Sequence, residues 1–493
     1  MFSPSRRLDL LGYGLAVIYA LPTLLYPYGR DQALYAYVAW GWMDGFLPYV
    51  DSFDQKPPGI YLLYGITYLL FGIQTWAIRA LELGALLWIG RTLARIAAGP
   101  EGPGGGIAAL LVVGFHVTCF DYWHTGQLEI WEALFVCLAM EQALKSRPLV
   151  AGLLSGIAFV FKFPSLPMIV VVALATLAQR RQLSTFFLFL LGSILPAVVL
   201  FPWILAGKWD TLYEVLITYN RAYMDKEAVV LGTDRLWLRW ALPFTVLYGV
   251  LFAGGIFVAL KERKLEPGAW LIALAMAAAG SVFWQGKLYP YHWTVVPPFA
   301  AGAALWGAGL LLRGRPAGWG RGAALGIAIL VVALGFLNAP GWFRNGKWTY
   351  RRYVPAAAQY SLGYMKRERF LSAFRSTHGG GFNAALLERV VDIVQRKKEP
   401  GDTLCERGFD PTINILTGTR CPSRFVADFA LVDARLRYPM KKAWIIEHEK
   451  TLREQPPTML VVTAKRPELK DNALKRGYKE VGKAGKYTVL RLE

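Results

Sequence analysis

Apolar runs of membrane-crossing length alternate with short polar turns along the first two-thirds of the chain. A transmembrane helix takes about 20 residues, and on that measure the pattern predicts eleven spans. The first covers roughly Leu8 to Pro27, behind Arg6 and Arg7, and the second starts near Trp76 and ends at Arg91 and Arg95. A Gly/Pro turn at 102–106 leads into a third that reaches about Phe120. The fourth closes at Lys145 and Arg147, the fifth at Phe161, and the sixth runs from Pro164 to Arg180 and Arg181. The seventh covers about Leu183 to Leu205, and a loop of mixed charge, roughly 207–236, precedes the eighth, which ends at Lys261, Glu262, Arg263 and Lys264. The ninth leads to Phe283, the tenth returns to Arg313, Arg315 and Arg321, and the eleventh ends near Leu337.

Every second boundary carries the basic cluster. That is the positive-inside asymmetry of cytoplasmic loops, and it places the N-terminus in the cytoplasm and the C-terminus outside. No secretory cleavage pattern follows the first span, so it reads as a retained helix. The expected class is an α-helical polytopic membrane protein with about eleven transmembrane helices. Composition agrees: 55% of the 493 residues are hydrophobic, and the mean hydropathy is +0.34. The net charge of +20 is spread among short loops on the cytoplasmic side, which argues against a nucleic-acid partner and for membrane lipids.

Beyond Trp342 the composition becomes that of a soluble domain. Leu387, Val390, Val391 and Val394 give Ala384–Lys398 helical spacing. Thr403–Glu406, Met459–Val462 and Tyr487–Leu490 read as short buried strands, and strands alternating with helices predict a small α/β domain. The expected division is a transmembrane module over 1–340, with a first outer loop at 28–75, and an extracytoplasmic α/β domain over 341–493. Gly379-Gly380-Gly381 lacks the flanking strand and helix of a phosphate cradle and reads as a loop. Cys119 and Cys137 fall in apolar runs; Cys405 and Cys421 would form a disulfide in an oxidising compartment, or remain two thiols.

The densest chemistry lies in the first loop. Asp31 opens a predicted helix that ends at Gly45, with Leu34, Val38 and Met43 on one apolar side. Tyr35, Tyr37, Trp40 and Trp42 add rings that favour a membrane interface, so this helix is expected to lie on the membrane. An acidic residue at a helix start is favoured by the dipole, and capping alone accounts for Asp31. Lys56 stands before Pro57 and Pro58, whose fixed φ angles present it on stiff backbone. Such a cation suits a phosphate leaving group; a lysine snorkelling toward headgroups fits equally. Asp51 and Asp54 read as loop residues or as holders of Lys56, and a divalent metal is possible there but not expected.

These residues resemble the integral-membrane GT-C-type glycosyltransferases that use polyprenyl-phosphate sugars, in particular the aminoarabinose transferase and protein O-mannosyltransferase group. The resemblance rests on Asp31-Gln32-Ala33-Leu34-Tyr35 and Asp54-Gln55-Lys56-Pro57-Pro58. Weaker matches are Phe71-Gly72 with Trp76-Ala77-Ile78-Arg79, and Tyr289-Pro290-Tyr291-His292-Trp293 with Pro297-Pro298. Gln32 replaces an acidic residue found in many relatives, which makes metal binding by a neighbouring pair less expected.

The resemblance implies a GT-C-like fold. It implies an inverting transfer of a sugar from a polyprenyl-phosphate donor to a hydroxyl of a lipid, glycan or protein at the outer face of a bacterial plasma membrane. Asp31 would be the general base and Lys56 the first contact of the donor phosphate; Lys162, Lys287 and His292, polar groups near a membrane boundary, read either as further phosphate contacts or as interface anchors. Tyr35, Asp54, Glu129 and Tyr289 would position substrate. Glu129, three residues before Glu132 on one helical face, positions the acceptor or holds a lysine; Arg79 and Glu82 share that spacing and read as an ion pair. A transporter or flippase of lipid-linked sugars would place its polar groups near the midplane, and an oligosaccharide ligase would rely on a large late outer loop.

Overall fold

The computed structural model describes residues 4–98, 104–224, 266–286, 289–311, 352–375 and 381–493, with a few single helical positions between them. In chain order the longer helices are α1 (Pro4–Ala20), α2 (Arg30–Met43), α3 (Gly59–Phe71), α4 (Ala77–Ala98), α5 (Gly105–Cys119), α6 (Leu128–Leu144) and α7 (Pro148–Phe161). They continue with α8 (Leu166–Gln179), α9 (Leu183–Ile194), α10 (Gly268–Trp284), α11 (Val296–Leu311), α12 (Ala384–Lys397) and α13 (Lys441–Glu454). The strands are β1 (Leu404–Glu406), β2 (Met459–Thr463), β3 (Tyr478–Ala484) and β4 (Tyr487–Leu492). Contacts divide the chain into two units: Met1–Leu25, Trp76–Leu200 and Glu227–Val354 form one, and Tyr26–Thr75, Phe201–Lys226 and Pro355–Glu493 the other.

The first unit is helical. The expected second to seventh spans coincide with α4 to α9, and the ninth and tenth with α10 and α11; the eighth and eleventh lie outside the described residues. By length and composition, Arg7–Leu25 and the continuous stretch Leu183–Leu205 are able to cross a membrane, and α7, α10, Gly105–Thr118 and Phe163–Gln179 are shorter apolar helices. Small residues let helix backbones meet. A Cβ on Gly152 of α7 would lie 2.0 Å from the Phe189 carbonyl oxygen of α9, and one on Gly156 would lie 2.2 Å from that of Ser193. In return, a Cβ on Gly192 of α9 would lie 2.2 Å from the Leu149 carbonyl oxygen. Without a hydrophobic drive between helices in lipid, such close van der Waals contact holds the pair together.

The second unit carries a four-stranded sheet in the order β1-β2-β4-β3, with β1 and β2 parallel and the other pairs antiparallel. The sequence reading finds β1, β2 and β4 and misses β3. Glu480 and Lys483 are exposed on this edge strand, and a bulge between Glu480 and Gly482 interrupts its alternation, which removes the apolar period. Helix α12 begins at Asn383, whose side chain accepts from Ala385 N (3.1 Å) and Leu386 N (3.2 Å). That satisfies two of the donors a helix start leaves open. Cys405 and Cys421 are buried free thiols.

Two features of the first loop differ from expectation. Gly59–Phe71 forms α3, which follows directly on Pro57 and Pro58, where fixed φ angles favour a helix start. Helix α2 does not lie open at a surface: Gln32 through Ala39 are all buried. Its tyrosine rings are core, with Tyr35 edge-on to Tyr64 of α3 (5.7 Å) and Tyr37 edge-on to the half-buried Trp40 (5.9 Å).

Candidate active site

Lys56 is half-buried, and the backbone beneath it is tied down on both sides. Its carbonyl accepts from the hydroxyls of Tyr49 (2.7 Å) and Tyr61 (3.2 Å). The preceding carbonyl, of Gln55, accepts from Asn220 Nδ2 (2.8 Å). Tyr49 itself stands at φ +71°, in the left-handed region that bulky residues rarely enter. Holding it there costs about 1–3 kcal/mol. The fully buried ring offsets this cost, stacking near Tyr61 and Trp203, while Trp203 Nε1 donates to the Pro48 carbonyl (2.9 Å).

Asp54 is the electrostatic centre of this loop. Its carboxylate accepts from Gln55 N (2.6 Å) and from Tyr61 Oη (3.0 Å), and the residue is 2% exposed. Burial pushes its pKa up to about 6, although the Lys56 ammonium and both hydrogen bonds work against the rise. Asp31 adds to the rise, so its charge and that of Lys56 both act on this one carboxyl. Asp31 lies in the first turn of α2 and is half-buried, within reach of an incoming group. A half-buried carboxylate, a cation and a buried acid that both influence thus belong to one unit. Such a set can accept a proton at one end and stabilise a developing anion at the other.

Next in sequence, Phe53 fixes the loop from behind. Its amide donates to the Arg424 carbonyl (2.7 Å), and its ring meets Tyr219, Phe425 and Trp444 at 5.2–5.3 Å. The sequence reading missed Tyr49, Phe53, Tyr61, Trp203, Tyr219 and Asn220. Tyr49 and Tyr61 bond across an irregular turn, and Phe53, Trp203, Tyr219 and Asn220 work through partners far along the chain, neither of which a regular spacing reveals.

The remaining predicted residues belong to the first unit. Lys162 caps the end of α7 and donates to the Glu129 carboxylate near the start of α6, both side chains being buried. Of the two roles open to Glu129, the structure contains the one that holds a lysine. Glu82, expected to pair with Arg79, accepts from Gly126 N (2.8 Å) and lies 3.7 Å from His116 Nε2. Tyr289 stacks on Tyr291 (5.7 Å), and the buried His292 ring stands edge-on to both, 5.5 Å and 4.5 Å away. Lys287 lies outside the described residues. Among the described residues no three His, Cys, Asp or Glu side chains form a group able to hold a metal ion.

With two units of this composition, the chain has the GT-C architecture that its first-loop residues resemble. Among the solved structures that share the fold are those of ArnT from Cupriavidus metallidurans. In the apo state ArnT aligns at a TM-score of 0.61 and 15% identity, covering 99% of this chain and 98% of its own. Bound to undecaprenyl phosphate it aligns at 0.59 and 15% identity, covering 98% and 97%. The archaeal oligosaccharyltransferase AglB from Archaeoglobus fulgidus aligns at 0.46 and 12% identity, over 96% of this chain and 71% of its own. No protein-family model matches the sequence, and no curated protein matches it.

Proposed function

We propose that this protein is an integral-membrane glycosyltransferase that moves a sugar from a polyprenyl-phosphate donor to an acceptor hydroxyl. The observation that carries the reading is the trio in the second unit: Asp31 and Lys56 both act on the buried Asp54 carboxyl, on a loop whose backbone Tyr49, Tyr61 and Asn220 hold. The fold it shares with ArnT, which binds undecaprenyl phosphate in one of its structures, supports the donor class.

In this reaction the acceptor oxygen attacks the anomeric carbon and the bond to the phosphate oxygen breaks. Asp31 takes the hydroxyl proton as that bond forms, since an alcohol becomes acidic only during attack. Lys56 sits opposite the charge that develops on the departing phosphate, on a backbone that needs no rearrangement at the moment of reaction. Asp54 orients the ammonium, and Tyr35 braces the first turns of α2 against α3. A single displacement inverts the sugar's configuration. The acceptor is a lipid, a glycan or a protein, reached from the non-cytoplasmic side, with the C-terminal domain on that same side.

The test is mass spectrometry of surface glycoconjugates from cells with and without the protein. A mass increment of one sugar that depends on it identifies the donor residue and the class of acceptor. Identical glycoconjugates, together with movement of an intact lipid-linked sugar across vesicles containing the purified protein, would establish a flippase in its place.

A further inference from the structure

Helix α2 carries an unfavourable charge at each end, although Asp31 in its first turn is a favourable one. Arg30, its first residue, is a cation at the positive pole of the helix, and Asp44, just past its last residue, is an anion at the negative pole. A free helix gains nothing from either. Its N-cap residue, Gly29, makes no side-chain capping bond.

The C-terminal domain answers both charges. Arg30 Nε donates to Asp410 Oδ1 at 2.8 Å, and both residues are buried. The other oxygen of Asp410 accepts from Tyr487 Oη, at the start of β4, at 2.6 Å. The Asp410 amide donates to Glu406, the last residue of β1, at 3.0 Å. The Arg30 guanidinium also lies over the rings of Phe382 (5.9 Å) and Phe409 (5.7 Å). At the far end, Arg420 pairs with Asp44 (2.7 Å) and covers Trp40 and Phe46 at 4.0 and 4.1 Å. Between them, the Cys421 amide donates to the Tyr37 hydroxyl (3.0 Å).

We propose that the C-terminal domain is the mount for the reactive helix, and that the Arg30–Asp410–Tyr487 chain is a positioning device for Asp31, the next residue along. This rests on the reading of Asp31 as the base. Charges that a lone helix disfavours have a purpose once a fixed partner exists: they set the depth and rotation of α2 against a rigid sheet. The buried, doubly bonded Asp410 supplies the finer constraint. The Arg420–Asp44 pair is more exposed, so solvent weakens it, and it steadies the opposite end.

Asp410→Asn, Tyr487→Phe and Asp31→Asn are compared as full-length proteins. Three quantities are read: the sugar increment in cells per folded protein, the affinity of purified protein for undecaprenyl phosphate, and amide exchange of residues 30–36. A misplaced base costs rate without costing donor affinity, so Asp410→Asn should lower the increment about tenfold or more. Exchange at 30–36 should rise while undecaprenyl phosphate binding stays within about threefold. Tyr487→Phe, which removes one hydrogen bond, should lower the increment about threefold. Asp31→Asn should lose the increment with exchange unchanged. The mount is overturned if Asp410→Asn and Tyr487→Phe retain the wild-type increment per folded protein while Asp31→Asn loses it. A full increment from Asp31→Asn removes the base, and with it any purpose for the mount.

Discussion

At the residue scale the proposed reaction asks one group of the first loop to stay charged and another to accept a proton, beside a third whose ionisation is costly. Asp31→Asn keeps size and removes basicity, so transfer should fall by about 10²–10⁴ with donor binding retained; single-turnover assays with the donor identified in cells will measure it. Lys56→Ala should weaken donor engagement and lower the rate about a hundredfold or more, read as donor affinity and rate in the same assay. Asp54 behaves differently. Its pKa rises from 3.8 to about 6 on burial, so the folded state holds its proton more tightly than the unfolded chain. The stability this contributes is complete below about pH 4 and is lost as pH rises through 6. Above that, the ionised carboxylate costs about 3 kcal/mol. Asp54→Asn should therefore melt higher than the parent at pH 8, with the gain disappearing near pH 4, while transfer falls because Lys56 loses a neighbouring negative charge. Equal melting temperatures at pH 8 would contradict the assignment.

At the scale of elements, the pair α7 and α9 depends on backbone contact. Gly152 and Gly156 sit four residues apart on one face of α7, and any Cβ there would overlap a carbonyl of α9. Gly152→Leu should force the helices apart and reduce the yield of monodisperse, detergent-extracted protein severely. Gly14, which has open space around it, should accept Ala with little change. The cap of α12 gives a milder prediction: Asn383→Ala removes the acceptor for two amides and should cost about 1 kcal/mol in thermal unfolding. The spacing of apolar residues foretold α12 and most helices of the first unit, because a stripe at helical period is a local property. It foretold α2 as a helix too, but not what surrounds it: Tyr35, Tyr37, Trp40 and Trp42 read as interfacial rings, and the two tyrosines are buried. Whether an amphipathic ring faces lipid headgroups or another segment is not a local property: Tyr37 meets the Cys421 amide, and Trp40 lies under Arg420.

At the scale of the molecule, the second unit is assembled from three separate stretches of chain, so its core is shared among residues distant in sequence. The ring of Phe53 has no exposed surface and is enclosed by Tyr219, from the middle stretch, and by Phe425, Phe429 and Trp444, from the last. Phe53→Ala should cost about 3–5 kcal/mol and make the whole unit, not the loop alone, sensitive to limited proteolysis. Acid should act on the same unit from the other direction. His448 is buried with Nδ1 against Ser423 Oγ (2.7 Å), and burial, then Arg407, lower its pKa to about 4. The stability from keeping it neutral is complete above 6.5 and is lost as pH falls toward 4. Thermal melts of His448→Gln should be flatter than the parent's between those values.

The amino-acid sequence by itself determined what depends on near neighbours: the apolar runs and their basic borders, the helical period of Ala384–Lys398, the short strands β1, β2 and β4, and the candidate chemistry of Asp31 and Lys56. Only the tertiary structure decided what those residues face. Asp54 becomes a costly acid because it is sealed from water beside Lys56. Tyr49, Tyr61 and Asn220 matter because their polar atoms find carbonyls across turns and loops. Arg30 and Asp410 meet across 380 positions, a separation over which pattern carries no information and only folding supplies the contact.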